Sequence, residues 1–213
     1  VRKVFIDGGA NKGQSIDLFI NHHPEASEYE IHSFECTTSG VVQEYLEEAA
    51  ERARKVGCTV KLYDKALWNK NEESVVFYDS YDESSSLLKR DAPKVNLAQI
   101  QAIQLSEFIL KNFSASDCIV LKLDIEGAEY EVFKDLIDTG VIKHIDKIYG
   151  ELHGPKCGIS LEEDLALIKK LETFGHKIYY WDATNDSGIG DKFYTEETLR
   201  TFHNKERFRK EDK

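Results

Sequence analysis

The sequence predicts an α/β protein built on a mostly parallel sheet, and three observations predict it. Strand and helix signals alternate along almost the whole chain, the pattern of βα units. The run Cys118-Ile119-Val120-Leu121 is apolar and rich in β-branched residues, as suits a strand covered on both faces. It leads to Asp124 and Glu126, then a glycine and a helix. The first strand also ends in glycines before a helix, through Asp7-Gly8-Gly9-Ala10-Asn11-Lys12-Gly13. Both features place polar groups at the carboxyl edge of the sheet, where ligands bind in open α/β folds.

The elements follow in order. Residues 3–7 form a short strand and 13–22 a helix that ends near Pro24. Residues 29–35 form the second strand. Residues 41–56 form a charged amphipathic helix, whose Glu48/Arg52 and Glu51/Lys55 pairs at i,i+4 mark a solvated face. Residues 58–64 are the third strand and 74–79 a short extra one. Residues 80–93 read as a polar loop centred on Ser84-Ser85-Ser86; with Tyr78 to Asp82 it is either a lid or a plain surface loop. Alternation makes 95–103 a strand, and 105–113 is a helix. After the strand through Leu123, residues 128–136 are a helix and 145–152 the next strand, ending in Glu151 and His153. Ser160 and Glu163 spell a capping box for a helix to about Phe174, closed by Gly175. Residues 177–181 are a strand, 195–203 the last helix, and the tail from Lys205 is frayed. His22 and His23 read as structural groups at a helix end, Trp68 and Trp181 as packing residues, and residues 185–190 as a loop. No repeat or linker interrupts the chain, so one domain over 1–213 is expected.

Composition narrows the function. A formal net charge of -11 opposes a broad nucleic-acid or anionic-membrane surface. No stretch approaches the ~18 apolar residues of a membrane span. Cys36, Cys58, Cys118 and Cys157 have no CxxC or zinc-like spacing, so reduced thiols and a cytoplasmic setting are expected. There is no signal-peptide pattern, and Val1 stands almost on a strand, so residues upstream are expected.

Gly8-x-Ala10-x-x-Gly13 nearly spells a dinucleotide fingerprint. Against that, Asp7 at the strand end would repel a pyrophosphate placed on the helix N-terminus. It suits a cofactor carrying positive charge, such as the amino acid part of S-adenosylmethionine. Glu35 ends the second strand, where a carboxylate can accept the hydroxyls of an adenosine ribose. Asp64 ends the third strand, and Ala66 follows where an adenine edge could lie. Three acids at three successive strand ends favour S-adenosylmethionine over a dinucleotide.

These residues resemble the FkbM family of class I S-adenosylmethionine-dependent methyltransferases. The likeness rests on Asp7-Gly8-Gly9-Ala10-Asn11-Lys12-Gly13, Phe34-Glu35, Ala66-Leu67, Ser85-Ser86-Leu87, the Lys-x-Asp-x-Glu-Gly-Ala-Glu block at 122–129, and Glu151-x-His153. These blocks cover about residues 4–153, and the 122–129 block is the most specific. The resemblance implies a Rossmann-like, mostly parallel seven-stranded sheet with helices on both faces, the seventh strand being antiparallel. It implies cofactor contacts on Asp7, Gly9, Asn11, Gly13, Gln14, Glu35, Asp64, Ala66 and Asp124. It also implies O-methylation of a hydroxyl on a sugar, glycolipid or other small molecule. Cys36 stands where the family commonly has proline, and Leu105-Ser106-Glu107 where threonine-leucine-aspartate is usual. The C-terminal third matches only loosely.

An alcohol is a poor nucleophile, so methyl transfer to it calls for a base or a metal. Lys122, Asp124 and Glu126 alternate along the strand and share a face while it lasts. Asp124 is expected beside the transferred methyl, with Glu126, Glu151 and His153 binding the acceptor, its proton or a cation. Lys122 either neutralises these acids or takes part. A divalent ion is possible, and metal-free transfer is favoured; a purely structural ion-pair network is the competing interpretation. Other classes stay open: an RNA ribose methyltransferase, for which the basic residues of the tail 200–213 speak, a cofactor-binding protein without turnover, and an NAD-dependent enzyme.

Overall fold

The computed structural model describes residues 1–79, 85–88, 96–181 and 189–211. In chain order the elements are β1 (Lys3–Gly8), α1 (Gln14–His22), β2 (Tyr29–Phe34), α2 (Gly40–Lys55), β3 (Thr59–Tyr63), β4 (Ala66–Trp68), β5 (Glu72–Asp79), β6 (Asn96–Gln104), α3 (Leu105–Asn112), β7 (Cys118–Leu123), α4 (Glu129–Asp138), β8 (Lys147–Gly150), α5 (Leu161–Glu172), β9 (Ile178–Tyr180) and α6 (Glu196–Glu211). Six strands form one parallel sheet in the order β3-β2-β1-β7-β8-β9. The chain runs outward from β1 on one side and outward from β7 on the other. The crevice between the carboxyl ends of β1 and β7 is therefore the topological switch point of the sheet.

Side-chain alternation along the strands builds the two faces. Phe5, Ile31 and Val120 point to the face covered by α1 and α2, where they meet Ile16, Phe19, Leu46 and Ala49. The rings of Phe5 and Phe19 stack with centroids 4.1 Å apart. Val4, Ile6, Ile119, Leu121 and Leu123 point the other way, against Phe108 of α3, Val132 and Phe133 of α4, and Ile168 of α5. Each fully buried side chain of this size contributes about 1.5–3 kcal/mol of apolar burial, so the central strands are fixed from both sides.

The seventh strand expected from the family resemblance is reduced to a single antiparallel bridge, Tyr179 to Phe193. Tyr180 N–H donates to the Lys192 carbonyl and Tyr194 N–H to the Ile178 carbonyl, both at 2.9 Å. Two hydrogen bonds close one pair and extend no ladder, so the large sheet has six strands, all parallel, among the described residues. The bridge lies outside β9, whose other edge is taken by β8.

A second sheet, β4-β6-β5, packs Ala66, Phe77 and Ala102 against Cys36, just beyond β2. It contains the strands expected near 74–79 and 95–103, together with β4, which is too short to show periodicity. Two other expectations change. Arg52 of α2 turns away from its own helix and donates to both oxygens of Asp17 on α1, at 2.9 and 2.7 Å. The last helix, expected to stop at 203, continues past Lys205 to Glu211 among the described residues. The Ser160/Glu163 capping box is present at the start of α5. All four cysteines are free, and no described helix is long and apolar enough to cross a membrane.

Candidate active site at the carboxyl edge

At the last turn of the central strands a polar row replaces the apolar ones. Ser33, Asp7 and Lys122 are register partners on β2, β1 and β7. Asp7 is fully buried. Its Oδ2 accepts from Ser15 of α1 at 2.6 Å and from Ser33 at 3.2 Å. Its Oδ1 has no hydrogen-bond donor and faces the Lys122 ammonium at 3.3 Å. Lys122 also donates to the carbonyls of Gly8 (3.2 Å) and Gly9 (2.7 Å), and its Nζ lies 3.6 Å from Asp124 Oδ2. Burial works against the Lys122 charge, but the carboxylates of Asp7 and Asp124 outweigh it and hold the ammonium above the ordinary lysine range. The pair also changes one sequence argument. Asp7 is covered and paired, so its charge does not reach a ligand on the first turn, and repulsion of a pyrophosphate loses its force.

The two turns at this edge interlock. Asp124 N–H donates to the Gly8 carbonyl at 3.1 Å. Gly9 has φ +76°, and a Cβ there would lie 1.9 Å from the Asp124 carbonyl oxygen. The obstacle is backbone, which cannot swing aside. A left-handed conformation alone costs a non-glycine residue about 1–2 kcal/mol. Gly9→Ala is therefore expected to lower the melting temperature by about 4 °C or more; an unchanged thermal melt would show that the turns do not meet this way.

Glu35 closes the turn from the next strand. Its Oε2 accepts from Asn11 N–H at 2.7 Å, and its Oε1 from the N–H groups of Cys36 (2.8 Å) and Thr37 (3.0 Å). Asn11 reaches this position with φ +46°. Burial raises the Glu35 pKa, and the three N–H donors pull it back. A carboxylate oxygen has two lone pairs, so Oε1 is filled and Oε2 keeps room for one further donor. Asp64 is exposed at the end of β3, and Ala66 is buried at the start of β4. Burial and then the charges of Glu35, Asp64 and Asp79 push the Cys36 thiol up. Gly13, with φ +84°, starts α1 without a side-chain cap, and Gln14 is the first helical residue.

Beyond β7 the chain turns through Glu126 (φ +56°) and Gly127 (φ +102°) into α4. The carboxylate of Glu129, fully buried, pins this turn by accepting from Ile125 N–H at 2.7 Å and Gly127 N–H at 2.8 Å. Ser86 Oγ donates to the Glu126 carbonyl at 2.7 Å. Glu129 Oε1 also holds His153 Nδ1 at 3.1 Å. That contact turns the other ring nitrogen outward. His153 Nε2 faces Glu126 Oε1 at 3.3 Å, Glu151 Oε1 at 3.6 Å and Asp124 Oδ1 at 3.7 Å. Burial opposes a charge on this ring, but Glu126 and Glu129 outweigh it and raise the His153 pKa to about 11. Burial and the nearby Asp124 raise the pKa of Glu151, which is half exposed.

The structure thus gathers Asp124, Glu126, Glu151 and His153 around one imidazole, and Asp7, Lys122 and Asp124 around one ammonium. Asn11 and Glu35 form a second centre with Asp64 nearby, while no side-chain bond ties Gly13, Gln14 or Ala66 to either. Sequence reasoning missed Glu129, which reads simply as a helix-start acid. It also missed Asp79, whose buried carboxylate accepts from Thr38 N–H (3.2 Å), Thr38 Oγ1 and Ser85 Oγ (3.1 Å), joining the loop after β2 to the serine segment. Residues 80–84 of the expected lid, and 185–188 of the expected loop, lie outside the described residues.

Comparison with known proteins bears on this site. No curated protein matches the chain. Among solved structures, one similar chain is the methyltransferase FkbM from Methylobacillus flagellatus KT, at 15% identity and TM-score 0.41 over 67% of this chain. This chain spans 31% of that protein's length. Another is a short-chain dehydrogenase from Oenococcus oeni PSU-1, at 12% identity and TM-score 0.40, covering 95% of this chain and 88% of that one. Likeness at this level decides nothing about chemistry. The family model described as the methyltransferase FkbM domain matches residues 7–178, from the buried acid of β1 to the start of β9. The chain belongs to the FkbM methyltransferase domain family.

Proposed function

We propose that the chain is a methyltransferase and that it moves a methyl group from S-adenosylmethionine to a hydroxyl of a sugar, glycolipid or other small-molecule acceptor. One observation carries the proposal: three carboxylates converge on His153 Nε2 at the carboxyl edge of the sheet, and one of them, Asp124, sits against the glycine turn of β1. The residues present fit the cofactor. Glu35 Oε2 keeps a lone pair for a ribose hydroxyl, Asp64 and Ala66 lie close after β3, and the start of α1 at Gln14, which has no side-chain cap, offers N–H groups to a carboxylate, the Gly13 N–H being taken by the Ala10 carbonyl at 2.8 Å. Gly9 and Asn11 shape the turn, and Asp7 supports it from beneath through Lys122.

When bound, S-adenosylmethionine supplies an electrophilic methyl on a positively charged sulfur. Transfer to a hydroxyl forms a C–O bond, breaks the C–S bond and releases one proton. His153, held as a cation, cannot take that proton at neutral pH. Glu151 can, since its raised pKa makes it a better base and half its side chain is open. Asp124 stands between Lys122 and His153 and orients the reacting groups. Glu126 binds the acceptor.

The strand order is also that of dinucleotide-binding folds, so the test must separate cofactors. Calorimetry is expected to show S-adenosylmethionine binding and no NAD binding, with methyl transfer from labelled cofactor to members of a hydroxylated acceptor panel. Glu35→Gln should weaken cofactor binding about 10–100-fold, the worth of a charge-assisted hydrogen bond. Binding of NAD in place of S-adenosylmethionine would overturn the proposal.

A further inference from the structure

Among the described residues, Asp124, Glu126 and His153 offer ligand atoms that all lie within 4.8 Å of one another. His153 is 1% exposed, and its Nε2 is aimed into this group. Among the described residues its nearest partner there is Glu126 Oε1, at 3.3 Å. The nearest carboxylate oxygens stand at 3.3, 3.6 and 3.7 Å, whereas a charge-assisted N–H···O bond would draw in to about 2.7–2.9 Å. Such separations suit neighbouring ligands of one ion. Two donors each about 2.0–2.2 Å from a cation, at octahedral or tetrahedral angles, lie roughly 2.8–3.6 Å apart. Nε2 is already about that far from Glu126 Oε1 and Asp124 Oδ1, and an inward shift of about 1 Å would bring the whole set, now within 4.8 Å, to that spacing.

The outer contacts point the same way. A ligating histidine usually donates its other N–H to a carboxylate, which fixes the tautomer and strengthens the free nitrogen as a donor. Glu129 does this at 3.1 Å from Nδ1, and it also holds the N–H groups on either side of Glu126. One carboxylate thus sets the direction of the imidazole and the shape of the turn that carries another ligand.

Resting on the methyl-transfer reading above, we propose that Asp124, Glu126 and His153 bind a divalent cation that displaces the Nε2 proton of His153 to solvent and receives the acceptor hydroxyl. An imidazole nitrogen beside two carboxylate oxygens suits a first-row ion of the manganese-to-zinc range better than calcium. Three protein ligands leave positions open, the pattern of a catalytic site and not a structural one. An acceptor hydroxyl on such an ion loses its proton more readily. Glu151, 3.6 Å from Nε2, is placed to take it.

The test uses the chelator-stripped protein with manganese chloride and, separately, zinc chloride. Calorimetry is expected to show one site per chain. Pulsed paramagnetic resonance of the manganese-loaded wild type is expected to show nitrogen coupling from one imidazole. Glu129→Gln, which keeps every ligand, should weaken binding about 10–100-fold, and His153→Gln should remove both the site and the nitrogen signal. No binding of either ion at millimolar concentration, a bound ion without nitrogen coupling, or a site that a folded His153→Gln variant retains would each overturn the proposal. Cofactor binding is measured on the same preparation. S-adenosylmethionine binding without metal binding removes the cation site alone, while metal binding without S-adenosylmethionine binding removes the methyl-transfer reading.

Discussion

Replacing Lys122 with methionine is expected to destabilise the protein by about 3–5 kcal/mol, the cost of leaving a buried charge without its partner. Asp7 is fully buried, and Lys122 has 2% of its side chain exposed, so solvent screens neither. Ser15 and Ser33 both donate to Asp7 Oδ2, which leaves Oδ1 dependent on the ammonium. Methionine fills much the same volume, so the loss is electrostatic and not a cavity. The carbonyls of Gly8 and Gly9 lose a donor as well, which loosens the turn that meets Asp124. Urea unfolding would read the change as a lower midpoint at constant slope. Adding Asp7→Asn should restore part of the stability, because a neutral amide needs no ammonium; that recovery is the coupling of the pair. The sign with pH follows from a lysine held above its ordinary range. Its contribution is complete at neutral pH and is lost only as pH rises past the ordinary lysine value toward the folded one. A Lys122→Met variant as stable as wild type would refute the pairing.

What could be read in the sequence was what depends on local pattern. Asp7, Glu35, Asp124 and Glu151 follow apolar strands, so their place at one sheet edge comes from alternation and strand length alone. Lys122 is the contrasting case. Its place on the strand was legible, but its pairing with Asp7 needed the register that sets the two side by side. Glu129 shows why some of the site was not legible. An acid in the first turn of a helix complements the helix dipole in any protein. Only the fold brings His153 to it from 24 positions away. Asp79 hides in the same way, because Thr38 reaches it from the loop after β2 and Ser85 from beyond residue 84. The seventh strand was expected from the family, in the third of the chain where the likeness was loosest, and only one bridged pair is found there. The i,i+4 reading of α2 was limited for another reason: sequence shows neighbours within a helix, and Asp17 of α1 is a better-aligned partner for Arg52.

Replacing Asp124 with asparagine is expected to cut methyl transfer by about 10²–10⁴-fold, the range for removing a group that orients or stabilises a reacting proton. The substitution keeps the shape and removes the charge. The backbone link from Asp124 N–H to the Gly8 carbonyl is untouched, so the two turns stay interlocked. The side chain is 31% exposed, and its ion pairs with Lys122 and His153 are long, at 3.6 and 3.7 Å. Long, partly solvated pairs contribute about 0–1 kcal/mol, and the melting temperature should therefore shift by no more than about 4 °C. That separates Asp124 from Lys122: one change falls on stability, the other on turnover. The kinetic signature separates it further from Glu35. Loss of Glu35 should appear in cofactor affinity, whereas loss of the Asp124 charge should appear in kcat, because the charge matters most once the acceptor oxygen and the methyl carbon are being joined. Rates measured at saturating cofactor decide the matter. A folded Asp124→Asn protein with near-normal turnover would place the chemistry on other groups, and of the carboxylates facing His153 Nε2 it would leave Glu126 and the more exposed Glu151.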